Sequence, residues 1–250
     1  MIIRTRSPYS ALNSVVKADA RAALMGQLKT AVGANISYAL IRFVIRELAG
    51  AFIPAGTVYG TILTEVVYFI GALLLGVFTY GLFYIYINLE YDQPVTVNDL
   101  FTGFRKDSPD RIIKVQAFLS ALEILCMVPF DLAWNLSGGI RARGFGLFMI
   151  VLTLLVGAAA LVFFMLNYGL SFLVLIDFRE LEPRQVPGVS AKLVRGHRKE
   201  LFFLVLSFAP LYIAGLLSFG LANLWVNAYF LSALTAFYRR LTGTAEDPLG

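Results

Sequence analysis

The stretch Leu147–Ile176, LFMIVLTLLVGAAALVFFMLNYGLSFLVLI, holds no Asp, Glu, Lys or Arg. A helix crosses the hydrocarbon of a bilayer in about 20 apolar residues, so this run spans it with length left over for tilt or for projection beyond the membrane. Working outward, further apolar runs occupy Thr30–Ala49, Thr61–Leu89, Ile112–Leu132, Leu201–Leu217 and Leu221–Phe237. Thr61–Leu89 is also over-long, whereas the last two are short and share a tight turn at Ser218-Phe219-Gly220, which predicts a compact closing unit. The expected fold is all-α: a polytopic helical membrane protein of about six transmembrane helices, forming one integral membrane domain over residues 1–250.

Composition agrees. Mean hydropathy is +0.74. Hydrophobic residues make up 58% of the chain and charged residues 15%, against about a quarter charged in a soluble domain. The net charge of +5 does not imply nucleic acid, because the basic residues are interleaved with the apolar runs instead of gathered on one polar domain. Cys126 is the single cysteine, so no disulfide forms within one chain. The start, Met1 to Pro8, lacks the apolar core of a signal peptide, leaving insertion to the spans.

Charge predicts sidedness. Arg4, Arg6, Lys17, Arg21 and Lys29 precede the first run; Arg105, Lys106, Arg111 and Lys114 lie at the second connection; Arg179, Arg184, Lys192, Arg195, Arg198 and Lys199 lie at the fourth; Arg239 and Arg240 follow the last. The first connection, Gly50 to Gly60, and the fifth carry none, and the third carries only Arg141 and Arg143. An even number of spans with both termini cytoplasmic satisfies the positive-inside rule.

A motif recurs on that face: Leu24-Met25-Gly26-Gln27-Leu28-Lys29, Leu100-Phe101-Thr102-Gly103-Phe104-Arg105-Lys106 and Leu193-Val194-Arg195-Gly196-His197-Arg198-Lys199. Each glycine is expected to close a short helix in the left-handed conformation, with cations facing anionic head groups. The chain then divides into an interfacial amphipathic helix (7–27), hairpin one (28–89), an interfacial helix with hairpin two (97–176) and an interfacial helix with hairpin three (188–240), a set of three parallel repeats or a chance likeness. In the first helix Leu12, Val15, Val16, Ala22 and Ala23 fall near one face, as membrane anchoring requires, but Asp19 falls on the same side; the helix is shallow there or breaks and is recapped by Asp19. Asn98 or Asp99 is expected to cap the short helix that presents Leu100, Phe101 and Phe104.

The segments Val97–Phe104, Gly196–Leu204 continuing to Phe208, and Ala236–Arg239 together resemble the bacterial integral-membrane family catalogued as domain of unknown function 975. That family is distantly similar to the membrane portion of some glycerophosphodiester phosphodiesterases. The resemblance implies a multi-span protein of the bacterial cytoplasmic (inner) membrane, and it brings no catalytic residues with it.

Ionisable groups inside spans are the candidates for function, since each costs about 2.5–3.5 kcal/mol in hydrocarbon if left alone. They are Arg42, Arg46 and Glu47 in the first span, Glu65 in the second and Glu123 in the third. Counting depth at about 1.5 Å per residue places Arg42 level with Glu123, and Arg46 level with Glu65, which predicts these as interhelical partners. They either tie helices together or line a polar cavity for an ion, a proton or a lipid head group. Lys114 and Asp131, at span ends, are expected to reach water. Arg195, His197, Arg198 and Lys199 are candidate head-group contacts. His197 is the only histidine, which excludes a histidine metal cluster, and no cofactor is implied. The acids Asp92, Asp99, Asp107, Asp110, Glu180 and Glu182 read as solvated caps and turns. Mid-span Tyr80 and Tyr84 are expected to face other helices, and the run Gly157-Ala158-Ala159-Ala160 suits close helix crossing.

The expected function is non-catalytic: a membrane accessory, regulator or assembly partner. Its alternative is a carrier or conduit for a lipid-like or amphipathic molecule, with a lipid enzyme third. The expected partners are membrane lipids and either another membrane protein or a second copy of the chain, with no nucleic acid.

Overall fold

Apolar runs become helices because hydrocarbon offers backbone N–H and C=O groups no partners outside the segment itself. The computed structural model describes residues 8–50, 58–105 and 109–244. Expectations resting on Arg4, Arg6, Lys106, Asp107 and most of the connection Gly50–Gly60 lie outside them. The elements are α1 (Pro8–Leu24), α2 (Leu28–Gly50), α3 (Val58–Glu90), a 3-10 turn (Val97–Phe101) running into α4 (Thr102–Arg105), α5 (Pro109–Leu136), α6 (Phe145–Tyr168), α7 (Ser171–Asp177), α8 (Val186–Leu193), α9 (Arg198–Leu206), α10 (Ala209–Leu216) and α11 (Leu221–Thr244). Five stretches among the described residues are long and apolar enough to cross a membrane: Leu28–Leu48, Glu65–Glu90, Pro109–Leu136, Phe145–Asp177 and Arg198–Leu216. The sixth expected span lies within α11, whose Asn223, Asn227, Ser232 and Thr235 dilute its apolar character. Ser232 and Thr235 are buried against protein.

α3 is the hub, packing against α2, α5, α7 and α11, while α2 pairs with α3, α5 with α6 and α10 with α11. Its glycines explain how one helix serves so many neighbours. Gly71, Gly76 and Gly81 recur every five residues, so each points about 140° around the axis from the last. A Cβ on Gly71 would meet Ile45 of α2, one on Gly76 would meet Gln116 of α5, and one on Gly81 would meet the main chain of Leu100. At the crossing of α5 and α6, a Cβ on Gly157 would lie 2.6 Å from the Cys126 carbonyl.

The core gathers at one end, where the last turns of α3 (Tyr80, Ile85, Leu89), α7 (Leu173–Leu175) and α11 (Ala233–Tyr238) close around one another. At the other end the outer faces carry large exposed apolar side chains such as Leu40, Phe43, Leu125 and Leu155. A continuous apolar surface of this kind has lipid as its solvent.

Several local expectations change. α1 is unbroken; of its expected apolar face Val16 is buried against protein, beside Ala20 and Leu24, while Val15 and Ala22 stay exposed. It docks along α11: Ser232 Oγ donates to the Ala20 carbonyl (3.0 Å), and Arg21 Nε donates to the Tyr229 hydroxyl (2.9 Å). Lys17 Nζ donates to the Ser207 carbonyl (3.2 Å) and lies 4.4 Å from the centre of the Phe208 ring. Burial, and then Arg21, lower the pKa of Lys17. Asp19 neither recaps a helix nor faces lipid, but pairs with Arg240 at 2.6 Å. Both side chains are about 40% exposed, so the pair is expected to contribute less than about 1 kcal/mol. A double-mutant cycle of Asp19→Asn with Arg240→Gln measures it, and a coupling of several kcal/mol would show that the pair is far less solvated than drawn.

The recurrent glycines also divide. Gly26 and Gly196 adopt positive φ, at 91° and 97°, and close their helices as expected. Gly103 does not: it is buried inside α4, where a Cβ would lie 2.9 Å from the Val77 carbonyl. The 3-10 turn is capped by Thr96, whose backbone N–H donates to Asp99 Oδ2 at 2.8 Å, so Asp99 acts from the third position of the helix and not as its cap. The run Leu147–Ile176 breaks at Gly169-Leu170, where Ser171 Oγ donates to the Tyr168 carbonyl (2.7 Å). Tyr80 is fully buried and Tyr84 partly so, both within the core packing.

Candidate functional site

The charges inside the spans converge. α2 supplies Arg42 and Arg46 from one face at i,i+4, α3 supplies Glu65, and α5 supplies Glu123, all lining a cleft of about 290 Å³. Asp131 joins them; it lies eight residues after Glu123 and so returns to the same side of α5. Between the two acids stands Pro129, which has no N–H and leaves the Leu125 carbonyl without its usual helical donor. Tyr68 and Ser120 complete the polar part of the wall.

Sharing a cleft is not pairing. Among the described residues none of Arg42, Arg46, Glu65, Glu123 or Asp131 makes an ion pair within 4.0 Å. Two guanidiniums and three carboxylates thus face a common space from three helices. Glu47 is exposed and stands outside the cleft. Depth counting points to the first four groups; Asp131, a span-end group expected to reach water, also lines the cleft, and its i,i+8 relation to Glu123 is the signal in the sequence.

A second cavity, of about 280 Å³, lies between α3, α5 and the end of α6. Its wall is apolar, with Phe83, Leu119, Leu122, Leu161, Phe164 and Phe172. Glu123 lines both cavities, so the polar cleft and the apolar groove meet at one carboxylate.

The head-group candidates form a separate place. Arg195, His197, Arg198 and Lys199 are all exposed at the junction of α8 and α9. His197 Nδ1 lies 2.7 Å from Glu200 Oε2, and Arg198 lies 5.9 Å from the centre of the Phe163 ring. None of the four lines the cleft. Lys114 pairs with Asp110 at 2.6 Å on an exposed turn. Among the described residues no three side chains of His, Cys, Asp and Glu converge as a metal site requires.

Helices, apolar surface and connectivity define an all-α polytopic membrane protein. The family model described as Protein of unknown function (DUF975) matches residues 12–245, and the chain belongs to that family. No curated protein and no solved structure matches it.

Proposed function

We propose that the chain is a non-catalytic binder and carrier of an amphipathic small molecule, with the polar end of its ligand in the charged cleft and the apolar tail in the adjoining groove. The observation that carries this reading is the convergence of Arg42, Arg46, Glu65, Glu123 and Asp131 on one cleft with no ion pair among the described residues. Groups that served only to hold helices together would neutralise one another, because each isolated charge costs about 2.5–3.5 kcal/mol in hydrocarbon. Unpaired charges of both signs instead suit a ligand with its own polar groups. The groove that Glu123 also lines stands beside the cleft and supplies a place for the tail. We place the protein in the bacterial cytoplasmic membrane with both termini in the cytoplasm, the arrangement the positive-inside rule favours.

Native mass spectrometry of the protein released from lipid nanodiscs tests the reading. A retained amphiphile is expected, and Leu161→Trp, which fills the groove, is expected to shift the retained species toward shorter tails. Retention of nothing, or of the same species by the groove variant, would sink it. A second reading, assembly with another membrane protein or a second copy, draws on Glu47, which is exposed on a span and outside the cleft. The same spectra report it as a doubled or otherwise increased protein mass.

A further inference from the structure

The charges of the cleft are sorted by helix. Both guanidiniums, Arg42 and Arg46, stand on α2, whereas the carboxylates stand on α3 (Glu65) and α5 (Glu123 and Asp131). α3 packs against both α2 and α5, so it floors the cleft and the other two form its walls, one cationic and one anionic. Arg42, Arg46 and Glu123 are exposed, and Glu65 and Asp131 are half-buried. With no ion pair to any of the five among the described residues, their charged atoms are open to a ligand. Depth is ordered as well. Arg46 lies near the end of its candidate span, Leu28–Leu48; Glu65 opens Glu65–Glu90; and Asp131 lies near the end of Pro109–Leu136. Successive spans run in opposite directions, so these three ends share one face of the membrane and set the mouth of the cleft at head-group depth. Along α3 the cleft takes Glu65, Tyr68 and Leu75, and the apolar groove takes Thr79 and Phe83, farther from the mouth.

Resting on the carrier reading above, we infer that the ligand's polar end is a zwitterion, with a phosphate against Arg42 and Arg46 and an ammonium against Glu65, Glu123 and Asp131. Arg42 and Arg46 are neighbours one helical turn apart, and a phosphate has oxygens enough to accept charge-assisted hydrogen bonds from both. Carboxylates accept from an ammonium in the same way. A head group with a phosphate alone would satisfy α2 but face three carboxylates, and one with an amine alone would face two guanidiniums. In either case the wall of like sign repels the ligand and stays unpaired, which is how a site rejects a near relative. At about 290 Å³ the cleft is at the small end of ligand cavities, which run from about 300 to 1,000 Å³, so the head group it takes is compact. Two sources supply such a head group: a diacyl phospholipid of the bilayer and a single-chain amphiphile.

Native mass spectrometry of the whole chain released from nanodiscs reads the selectivity. The discs hold equal parts of phosphatidylethanolamine, phosphatidylglycerol and a diacyl lipid with a primary amine and no phosphate. The first head group carries both charges, the second only the anion and the third only the cation. The wild type is expected to retain phosphatidylethanolamine over each of the others by at least about tenfold. Arg42→Gln with Arg46→Gln is expected to turn the preference to the amine lipid, and Glu65→Gln with Glu123→Gln to turn it to phosphatidylglycerol, with unfolding midpoints measured on the same samples. Charges that only held helices together would not turn selectivity according to their sign. Discs that also hold lysophosphatidylethanolamine separate the sources, since the retained mass reports one chain or two. Phosphatidylglycerol or the amine lipid retained as well as phosphatidylethanolamine overturns the zwitterion and leaves the carrier reading standing. So does a selectivity that neither folded variant changes. Retention of no lipid overturns both.

Discussion

Alanine in place of Gly81 is expected to destabilise the protein by about 3 kcal/mol, the upper end of what one extra methyl does in a packed interior. The methyl would be driven into the Leu100 carbonyl carbon, oxygen and Cα, which are main-chain atoms that cannot rotate aside. Nor can the 3-10 turn withdraw. Asp99 ties it back to the Thr96 backbone, Leu100 is fully buried, and Thr102 and Gly103 are buried immediately behind. Phe78 of α3 meets Phe101 and Phe104 edge-on at 5.6 and 5.2 Å, pinning the turn from the side. Gly76→Ala makes the comparison informative: its methyl would lie 2.5 Å from Cγ and 2.6 Å from Cβ of Gln116, and although Cγ can swing aside, Cβ moves only with α5, so about 2 kcal/mol is expected. Gly243→Ala meets nothing and should be neutral or slightly stabilising, as alanine is the better helix former. Equilibrium unfolding in mixed micelles ranks the three. Equal effects at 76 and 81 would mean that the turn is not fixed to α3.

These glycines also show which parts of the fold were legible. Spans can be read because hydrocarbon forces the backbone into helix wherever the run is long enough, so Leu147–Ile176 announced itself. Its break at Gly169-Leu170 did not, because the residues on both sides are equally apolar and the bond that shapes the break, from Ser171 to the Tyr168 carbonyl, is a local choice among permitted ones. Helical periodicity showed that α1 has an apolar face, but it cannot distinguish lipid from protein as the cover. α11 packs along α1 while Val15 and Ala22 stay exposed, and the residue that answers Asp19 is 221 positions away. Depth, by contrast, is a one-dimensional quantity that counting recovers: it sets Arg42 level with Glu123 and Arg46 level with Glu65, two adjoining levels of one cleft. Azimuth around each helix decides whether such groups touch, and it depends on how glycines such as Gly71 and Gly76 seat α3 against α2 and α5. That is why the shared cleft was foreseeable and the lack of contact within it was not.

Arg42→Gln with Glu123→Gln decides between a structural and a binding role for the cleft. Were the two groups a buried ion pair, removing either would strand the other and cost about 3–5 kcal/mol, and the double variant would recover much of it. No ion pair within 4.0 Å joins them, so the expected coupling is below about 0.5 kcal/mol. Each single variant is expected to leave stability unchanged or to raise it, because an unpaired charge has been taken out of an apolar setting. Ligand retention should move in the opposite sense. The double variant removes one charge of each sign from the same cleft and is expected to retain amphiphile at least about tenfold less than the wild type, while unfolding at the same midpoint or a higher one. Stability and retention are therefore read on the same four proteins. A coupling above about 2 kcal/mol with retention unchanged would assign these charges to holding α2 against α5, and the carrier reading would lose the observation on which it rests. Stability unchanged with retention lost has no structural explanation, because a group that holds helices together cannot be deleted without loosening them.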